Sequence, residues 1–280
     1  MASLRLGEVQ NNPSKIQLER ISHVYFEHPD LDDLDKFAVD FGLVEAWPSN
    51  DIVLYRGCSK DPYCYVARKA PAGIAAFGGA AWIAQAQEDF DKAAAMEGAE
   101  VSDLAPYPGG GRRVTLKTPS GLGPFNGSIS KHRLGKFLRC HPGPAIIHKL
   151  SHYGFIVAKW DEEIKWYTSN FNFVPSDVHS PPSNKDTDVI TFMHLDLGEE
   201  FSNHHSLFLS RAAPGERNRL HHTSYEMEDF DTQLLVHDWL AMKGHKAVWG
   251  VGRHILGSQI FDYWRDPSGF IIRLGHGDAR

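Results

Sequence analysis

Two histidines open β-like segments of this chain: His152 in Leu150-Ser-His-Tyr-Gly-Phe-Ile-Val and His222 in Leu220-His-His-Thr-Ser-Tyr-Glu-Met. Two more, His205 and His254, lie nearby in sequence. Two neutral imidazoles and one carboxylate on one face of a metal, with positions left open for substrate and O2, form the donor set of a non-haem Fe(II) oxygenase. The chain has 16 histidines, and a lone histidine is more often a surface or hydrogen-bonded core residue than a ligand. His23, His141, His148, His194, His237 and His245 are read in that ordinary way.

Ligands of this kind must be held by rigid elements, and the chain repeats the elements that would hold them. Ile21-Ser-His-Val-Tyr-Phe-Glu resembles Leu150-Ser-His-Tyr-Gly-Phe-Ile, and each is followed by an acidic turn and an amphipathic stretch, 31–41 and 161–171. Each half closes on the same turn, Thr118-Pro-Ser-Gly-Leu and Asp266-Pro-Ser-Gly-Phe. Self-similarity on this scale predicts a duplicated domain. Strand-like runs at 51–55, 63–68, 188–195 and 206–211 give a β-α-β-β-β order in each half, with a second helix before the final strand. Those second helices, at 84–96 and 230–242, stop near Gly98 and Gly244, as glycine is favoured just past a helix C-terminus. Between the halves, 133–147 contains Pro142, Gly143 and Pro144 and reads as a linker.

The totals narrow the class. A chain of 280 residues, 42% hydrophobic, fills one large or two ordinary cores. The net charge of −6 and the lack of a basic stripe argue against nucleic acid or an anionic membrane as partner. Cys58, Cys64 and Cys140 form neither a CxxC pair nor an even framework, so they read as reduced thiols. With no signal-like N-terminus and no long apolar run, a cytoplasmic protein is expected.

Together the strand openings, the closing turns and Gly252-Arg-His-Ile-Leu-Gly-Ser-Gln-Ile-Phe-Asp-Tyr resemble the two-domain extradiol ring-cleavage dioxygenases of the vicinal-oxygen-chelate (glyoxalase/bleomycin-resistance) superfamily, over roughly residues 18 to 278. The resemblance implies an α+β fold of tandem βαβββ modules, in which two domains each cup a pocket in a curved sheet. The parts would be an N-terminal arm (1–17), a domain without metal (18–132), the linker (133–147) and a C-terminal domain carrying the active site (148–280). It also implies His152 and His222 as metal ligands, with His222 chosen over His221. His205 would be the acid/base that handles the bound oxygen, with His204 on the opposite side of the strand, and His254 and Tyr263 would bond substrate oxygens. Phe192, Trp249 and Phe261 are expected as aromatic pocket wall.

One position departs from the pattern. Where such relatives carry the glutamate ligand, four residues after the Gly of the last Asp-Pro-Ser-Gly turn, this chain has Arg273. A guanidinium stays protonated and has no acceptor, so it cannot ligate. Charges of +1 and +2 about 5 Å apart at an effective dielectric near 20 repel by about 6–7 kcal/mol before any retreat of the side chain. Three accounts follow: iron bound with Arg273 swung outward, metal lost with Arg273 holding an anionic ligand, or a C-terminal tail that is not native. The expected function is dioxygenase cleavage of a catechol-like or ortho-aminophenol-like ring with O2 at Fe(II), with Mn(II) as the other ion to consider. The alternatives are a metal-free member of the fold that binds, isomerises or cyclises an aromatic or polyketide-like acid, and a non-enzymatic small-molecule-binding protein. The expected partners are a small aromatic substrate and O2, in a homo-oligomer.

Overall fold

The structure, a computed structural model, describes residues 5–121, 143–255 and 258–276, the His276 side chain excepted. Most of the expected linker (133–142, with Cys140 and His141) lies outside the described residues, as do the first four residues of the arm and 277–280. The fold is mixed α+β with curved sheets. Leu18–His28 (β1), Leu31–Phe41 (α1), Val44–Trp47 (β2), Ile52–Arg56 (β3) and Tyr65–Lys69 (β4) form one βαβββ unit. Ala76–Ala84 (β5), Gln87–Ala94 (α2), Glu100–Asp103 (β6) and Arg112–Thr115 (β7) begin a second. The C-terminal half repeats the scheme: Ile147–Val157 (β8), Trp160–Asn170 (α3), Phe173–His179 (β9), Ile190–Leu195 (β10) and Leu207–Arg211 (β11). Its second unit is Arg219–Met227 (β12), Phe230–Met242 (α4), Lys246–Arg253 (β13), Ile260–Arg265 (β14) and Ile271–His276 (β15).

The C-terminal half is thus built on two such units and the N-terminal half, among the described residues, on one unit followed by β5-α2-β6-β7, where the sequence suggested a single unit with an inserted helix in each half. The extra strands escaped notice because of their composition. In β5, Ala76-Phe-Gly-Gly-Ala-Ala-Trp-Ile-Ala offers no alternation and little β propensity. Gly78 is needed there, since a Cβ would fall 2.9 Å from the Cβ of Tyr25 on the neighbouring β1. The C-terminal strands form one eight-stranded sheet in the order β13-β14-β15-β12-β8-β11-β10-β9, with the first strands of the two units, β8 and β12, antiparallel at its centre. Among the described residues no helix is long and apolar enough to cross a membrane.

Local chemistry sets the helix limits. The Asp30 carboxylate caps α1 by accepting from Asp33 N at 3.0 Å, and Gly42, at φ +101°, ends it. Asp229 caps α4 in the same manner, accepting from Thr232 N at 2.7 Å. Helix α2 starts later than expected, because β5 runs on to Ala84.

A single apolar core spans both halves, joining Phe26, Phe37 and Trp82 of the first to Tyr153, Phe173 and Trp264 of the second. Polar stitches reinforce it. Asn172, fully buried, accepts from Leu18 N at 2.9 Å and donates to Leu18 O at 2.9 Å and Asp196 O at 3.0 Å. The arm docks on the C-terminal half, where Ile16 N donates to Asn170 O and Leu6 N to the Asp188 carboxylate. His28 reaches from β1 to the closing turn of the other half, with Nδ1 2.7 Å from Ser268 Oγ and Nε2 2.8 Å from Tyr65 OH.

That turn carries a pH-sensitive group. Burial pushes Asp266 up to about 7, although it accepts from Phe270 N at 2.8 Å. Between about pH 4 and pH 7 the folded chain keeps a proton that the unfolded chain has lost, so this carboxyl's contribution is full below about pH 4 and gone above about pH 7. Asp266→Asn cannot ionise and is expected to gain up to about 4 kcal/mol relative to the parent between pH 4.5 and pH 8. Urea midpoints at the two pH values measure the difference, and parallel profiles for parent and variant would refute it.

Candidate active site in the C-terminal half

Strand register lines up four of the singled-out positions. His152 on β8 faces Ser224 on β12, Ser224 faces Arg273 on β15, and Arg273 faces Tyr263 on β14. Cross-strand partners share a sheet face, so His152, Arg273 and Tyr263 project to one side. His222 stands two residues before Ser224 on that face. A register shift between Leu220 and His222 makes His221 the extra residue of a bulge, which leaves the two rings in contact, Nδ1 to Nδ1 at 2.8 Å.

The side chains meet in a buried cluster. His152 Nε2 lies 3.2 Å from His222 Nε2, and the rings of His152 and His205 have centroids 4.1 Å apart. The Tyr263 ring packs edge-on against His222 at 5.1 Å, and its hydroxyl is 3.1 Å from His254 Nε2. Phe192 lies against His205 at 5.0 Å, Phe261 against His254 at 4.3 Å, and Trp249, half exposed, against Tyr263 at 5.2 Å. The structure therefore brings all the singled-out residues of this half together.

Arg273 points into the cluster. Its side chain is 2% exposed, NH1 is 3.2 Å from His152 Nε2, and NH2 donates to Ile260 O at 3.1 Å. An outward-swung Arg273 is not what is seen. The guanidinium lies back over its own strand, where a Cβ at Gly275 would come within 3.1 Å of NH2. Glycine at 275 is what lets it lie flat.

These contacts fix the protons. A guanidinium only donates, so His152 Nε2 accepts, and a neutral His152 carries its proton on Nδ1, 3.3 Å from Ser151 Oγ. For the contact between the two Nε2 atoms to be a hydrogen bond, His222 must then donate from Nε2. Its Nδ1 accepts in turn from His221 Nδ1. Burial first, and then neighbouring histidines and Arg273, hold His152 and His222 well below the usual histidine range. Burial, followed by Arg273, lowers His254 to about 4.

His205 has a different supply line. It precedes β11 in an irregular segment, so His204 is not on the opposite side of a strand, as expected, but beside it, Nδ1 to Nδ1 at 3.1 Å. His204 Nε2 lies 3.0 Å from the Asp177 carboxylate, which is partly exposed. A neutral His204 that donates to Asp177 from Nε2 accepts from His205 at Nδ1, which leaves His205 Nε2 unprotonated. A chain from solvent to a buried base results.

The donor set bears on the metal that the resemblance implies. Ligand nitrogens at about 2.1 Å from a metal and at right angles lie about 3 Å apart, close to the spacing of the two Nε2 atoms. That pair would suit two adjacent positions. Beside them Arg273 is a cation donating to His152 Nε2, and among the described residues no group of three His, Cys, Asp or Glu side chains could hold a metal ion. With Arg273 seated, the residues do not fit a three-donor Fe(II) or Mn(II) site.

Two residues absent from the sequence reading shape the pocket. Phe208 packs on His222 at 5.3 Å and on Phe192 at 5.4 Å, and it can do so because Gly154 has no side chain: a Cβ there would fall 1.8 Å from its ring. Gly154→Ala is expected to cost about 1–3 kcal/mol in chemical denaturation and to shift the Phe208 and His222 ring resonances. An unchanged midpoint with unchanged ring shifts would show that the ring has room to spare.

Residues 149–274 match the Glyoxalase/Bleomycin resistance protein/Dioxygenase superfamily. Metapyrocatechase 2 of Cupriavidus necator is 34% identical over 87 residues, 31% of this chain and 25% of that protein. The match thus spans about a quarter of that relative's length. Three solved structures share the fold across nearly the whole chain. The Mn(II)-bound glyoxalase of Novosphingobium aromaticivorans superposes with a TM-score of 0.79 at 21% identity, over 94% of this chain and 84% of the other. The 2,3-dioxygenase LapB of Pseudomonas sp. KL28 gives 0.79 at 19% over 95% and 94%, and homoprotocatechuate 2,3-dioxygenase of Arthrobacter globiformis gives 0.77 at 18% over 95% and 81%.

Proposed function

We propose that this chain is an extradiol-type dioxygenase scaffold whose C-terminal pocket takes a catechol-like or ortho-aminophenol-like ring, and that Arg273 withholds the metal from it. The observation that carries the reading is the convergence of His152, His222, His205 and Tyr263 on one buried face, in a domain similar to ring-cleaving enzymes. Within the pocket, His254 and Tyr263 bond the substrate oxygens, His205 Nε2 accepts a ring hydroxyl proton, and Phe192, Phe208 and Phe261 wall off water. Deprotonated substrate is favoured by the buried guanidinium.

The Arg273–His152 hydrogen bond supports a second reading for the chain as it stands. In that reading the pocket is metal-free and binds, isomerises or cyclises an aromatic or polyketide-like acid, with Arg273 holding its anionic oxygen. Iron content after anaerobic loading with Fe(II), together with oxygen uptake on catechols and ortho-aminophenols, tests the role given to Arg273, and turnover of a bound aromatic acid in the absence of O2 would favour the second reading. The expected outcome is that the unmodified chain binds the ring but retains little iron. Stoichiometric iron with oxygen uptake in the unmodified chain would overturn the role given to Arg273, and failure to bind any ring would overturn the pocket assignment.

A further inference from the structure

The base assigned to the C-terminal pocket is badly placed to hold a charge. His205 is buried, and burial first, then His204 and Arg273, keep it well below the usual histidine range. Its neighbour His204 is only half-buried, and His204 Nε2 meets the partly exposed Asp177 carboxylate at 3.0 Å. Strand β9 is shaped to hold it there. Phe192 of β10 faces Asp177 and Met193 faces Pro175, so Ser176 is the extra residue of a bulge. Pro175, just before it, has no N–H to leave unpaired. Ser176 Oγ donates to His204 O while Asp177 accepts from the His204 ring, so two adjacent residues of β9 grip both the backbone and the side chain. With its proton on His204 O, the Ser176 hydroxyl accepts from His194 Nδ1 at 2.7 Å. Ser206 N, donating to Met193 O at 2.9 Å, fixes the other side of His205.

We propose that His204 stores the charge of any proton that His205 takes up, with Asp177 and Ser176 as the residues that position it. In the neutral pair His205 carries its proton on Nδ1 and His204 carries its own on Nε2. When His205 Nε2 accepts a proton, the Nδ1 proton crosses the 3.1 Å contact to His204 Nδ1. One proton enters, one crosses, and the charge ends on His204 beside a carboxylate. His205 stays neutral as the Nε2–H tautomer and can give that proton back by the reverse path. The acceptor becomes a donor without a second cation beside Arg273. The titratable groups facing His204 are Asp177 from β9, His205 of its own segment, and His194 from β10, reached through Ser176. Of these only Asp177 is an anion, so the charge is drawn toward the surface. The proposal rests on the proposed function for what His205 acts upon, but not for where the charge goes.

Its test is the protonation state of each ring nitrogen, read from two-bond proton–nitrogen correlation spectra of the full chain carrying isotope-labelled histidine, without substrate or metal. The His205 signals are assigned by their absence in His205→Gln. At about pH 8 the parent is expected to show His205 protonated on Nδ1 alone, and at about pH 5 on Nε2 alone, with His204 protonated on both nitrogens. His204→Ala removes the store, so its His205 is expected to keep the same tautomer at both pH values. Asp177→Ala frees His204 Nε2 and is expected to mix the two His205 tautomers at about pH 8. Should His204→Ala fail to give the parent's near-ultraviolet circular dichroism, Asp177→Ala, at a half-exposed position, decides alone. His205 protonated on both nitrogens at about pH 5 overturns the proposal, as does a parent tautomer that does not change with pH. An exchange of tautomers that persists in His204→Ala overturns it too. Failure of the pocket to bind a ring leaves these spectra as they are, so the two readings fail separately.

Discussion

Arg273→Glu is expected to convert a chain that retains little Fe(II) into one that retains about one iron per chain. Three obstacles go together. The guanidinium sits 3.2 Å from His152 Nε2, donates into the lone pair a metal would need, and brings a positive charge beside His222 as well. Glutamate removes the donor, frees both nitrogens and supplies the missing anionic oxygen from the same strand position, in line with His152 across β8, β12 and β15. A repulsion of about 6–7 kcal/mol for a +1 and a +2 charge about 5 Å apart is an upper figure, because side chains relax. Retaining about 4 kcal/mol of it corresponds to roughly a thousandfold in affinity. Arg273→Gln, which removes the charge without providing a carboxylate, should fall between parent and Arg273→Glu. Oxygen uptake with a catechol should accompany iron in Arg273→Glu. Equal iron affinity in parent and Arg273→Glu would mean that the guanidinium leaves when metal enters, and the account given of it would fail.

The largest effect on stability is expected away from the pocket, at Asn172. Its amide makes three hydrogen bonds with no exposure to solvent, two of them to the backbone of Leu18 in the other half. Alanine would leave Leu18 N, Leu18 O and Asp196 O unsatisfied or hydrated by intruding water. At about 1–3 kcal/mol for each orphaned group, with relaxation, the loss should reach about 3–5 kcal/mol. Asn172→Asp keeps the acceptor for Leu18 N but sets a carboxylate against two carbonyls, so it should be no better. Urea denaturation gives the number. A loss below about 1 kcal/mol for Asn172→Ala would show that the junction rests on the apolar core alone.

How much of this was legible in the sequence differs from element to element. Helices α1 and α4 could be read residue for residue, since capping aspartates and glycines just past the ends mark them. Strand β5 could not, because its residues were chosen for closeness to β1 rather than for strand propensity. The inward direction of Arg273 follows from strand alternation, but its acceptor does not, because that depends on a register spanning 121 residues. Phe208 and Gly154 have meaning only as a pair, and neither shows a signal alone. The neighbour relation of His204 and His205 was misjudged by assuming a strand where the backbone is irregular. The gathering of Arg68 and Arg113 around Tyr25 left no motif, since the two arginines lie on different strands and meet only through the sheet and its covering hairpin.

The shared core has a thermodynamic corollary. Phe26 and Trp82 of the first half and Tyr153 and Trp264 of the second belong to one packed cluster, so unfolding either half exposes apolar surface on the other. A ligand that favours the native form at the C-terminal pocket then stabilises the contacts that the other half makes with it. Occupancy of the pocket beside the histidine cluster thereby protects the N-terminal half against opening, with no movement passing between them.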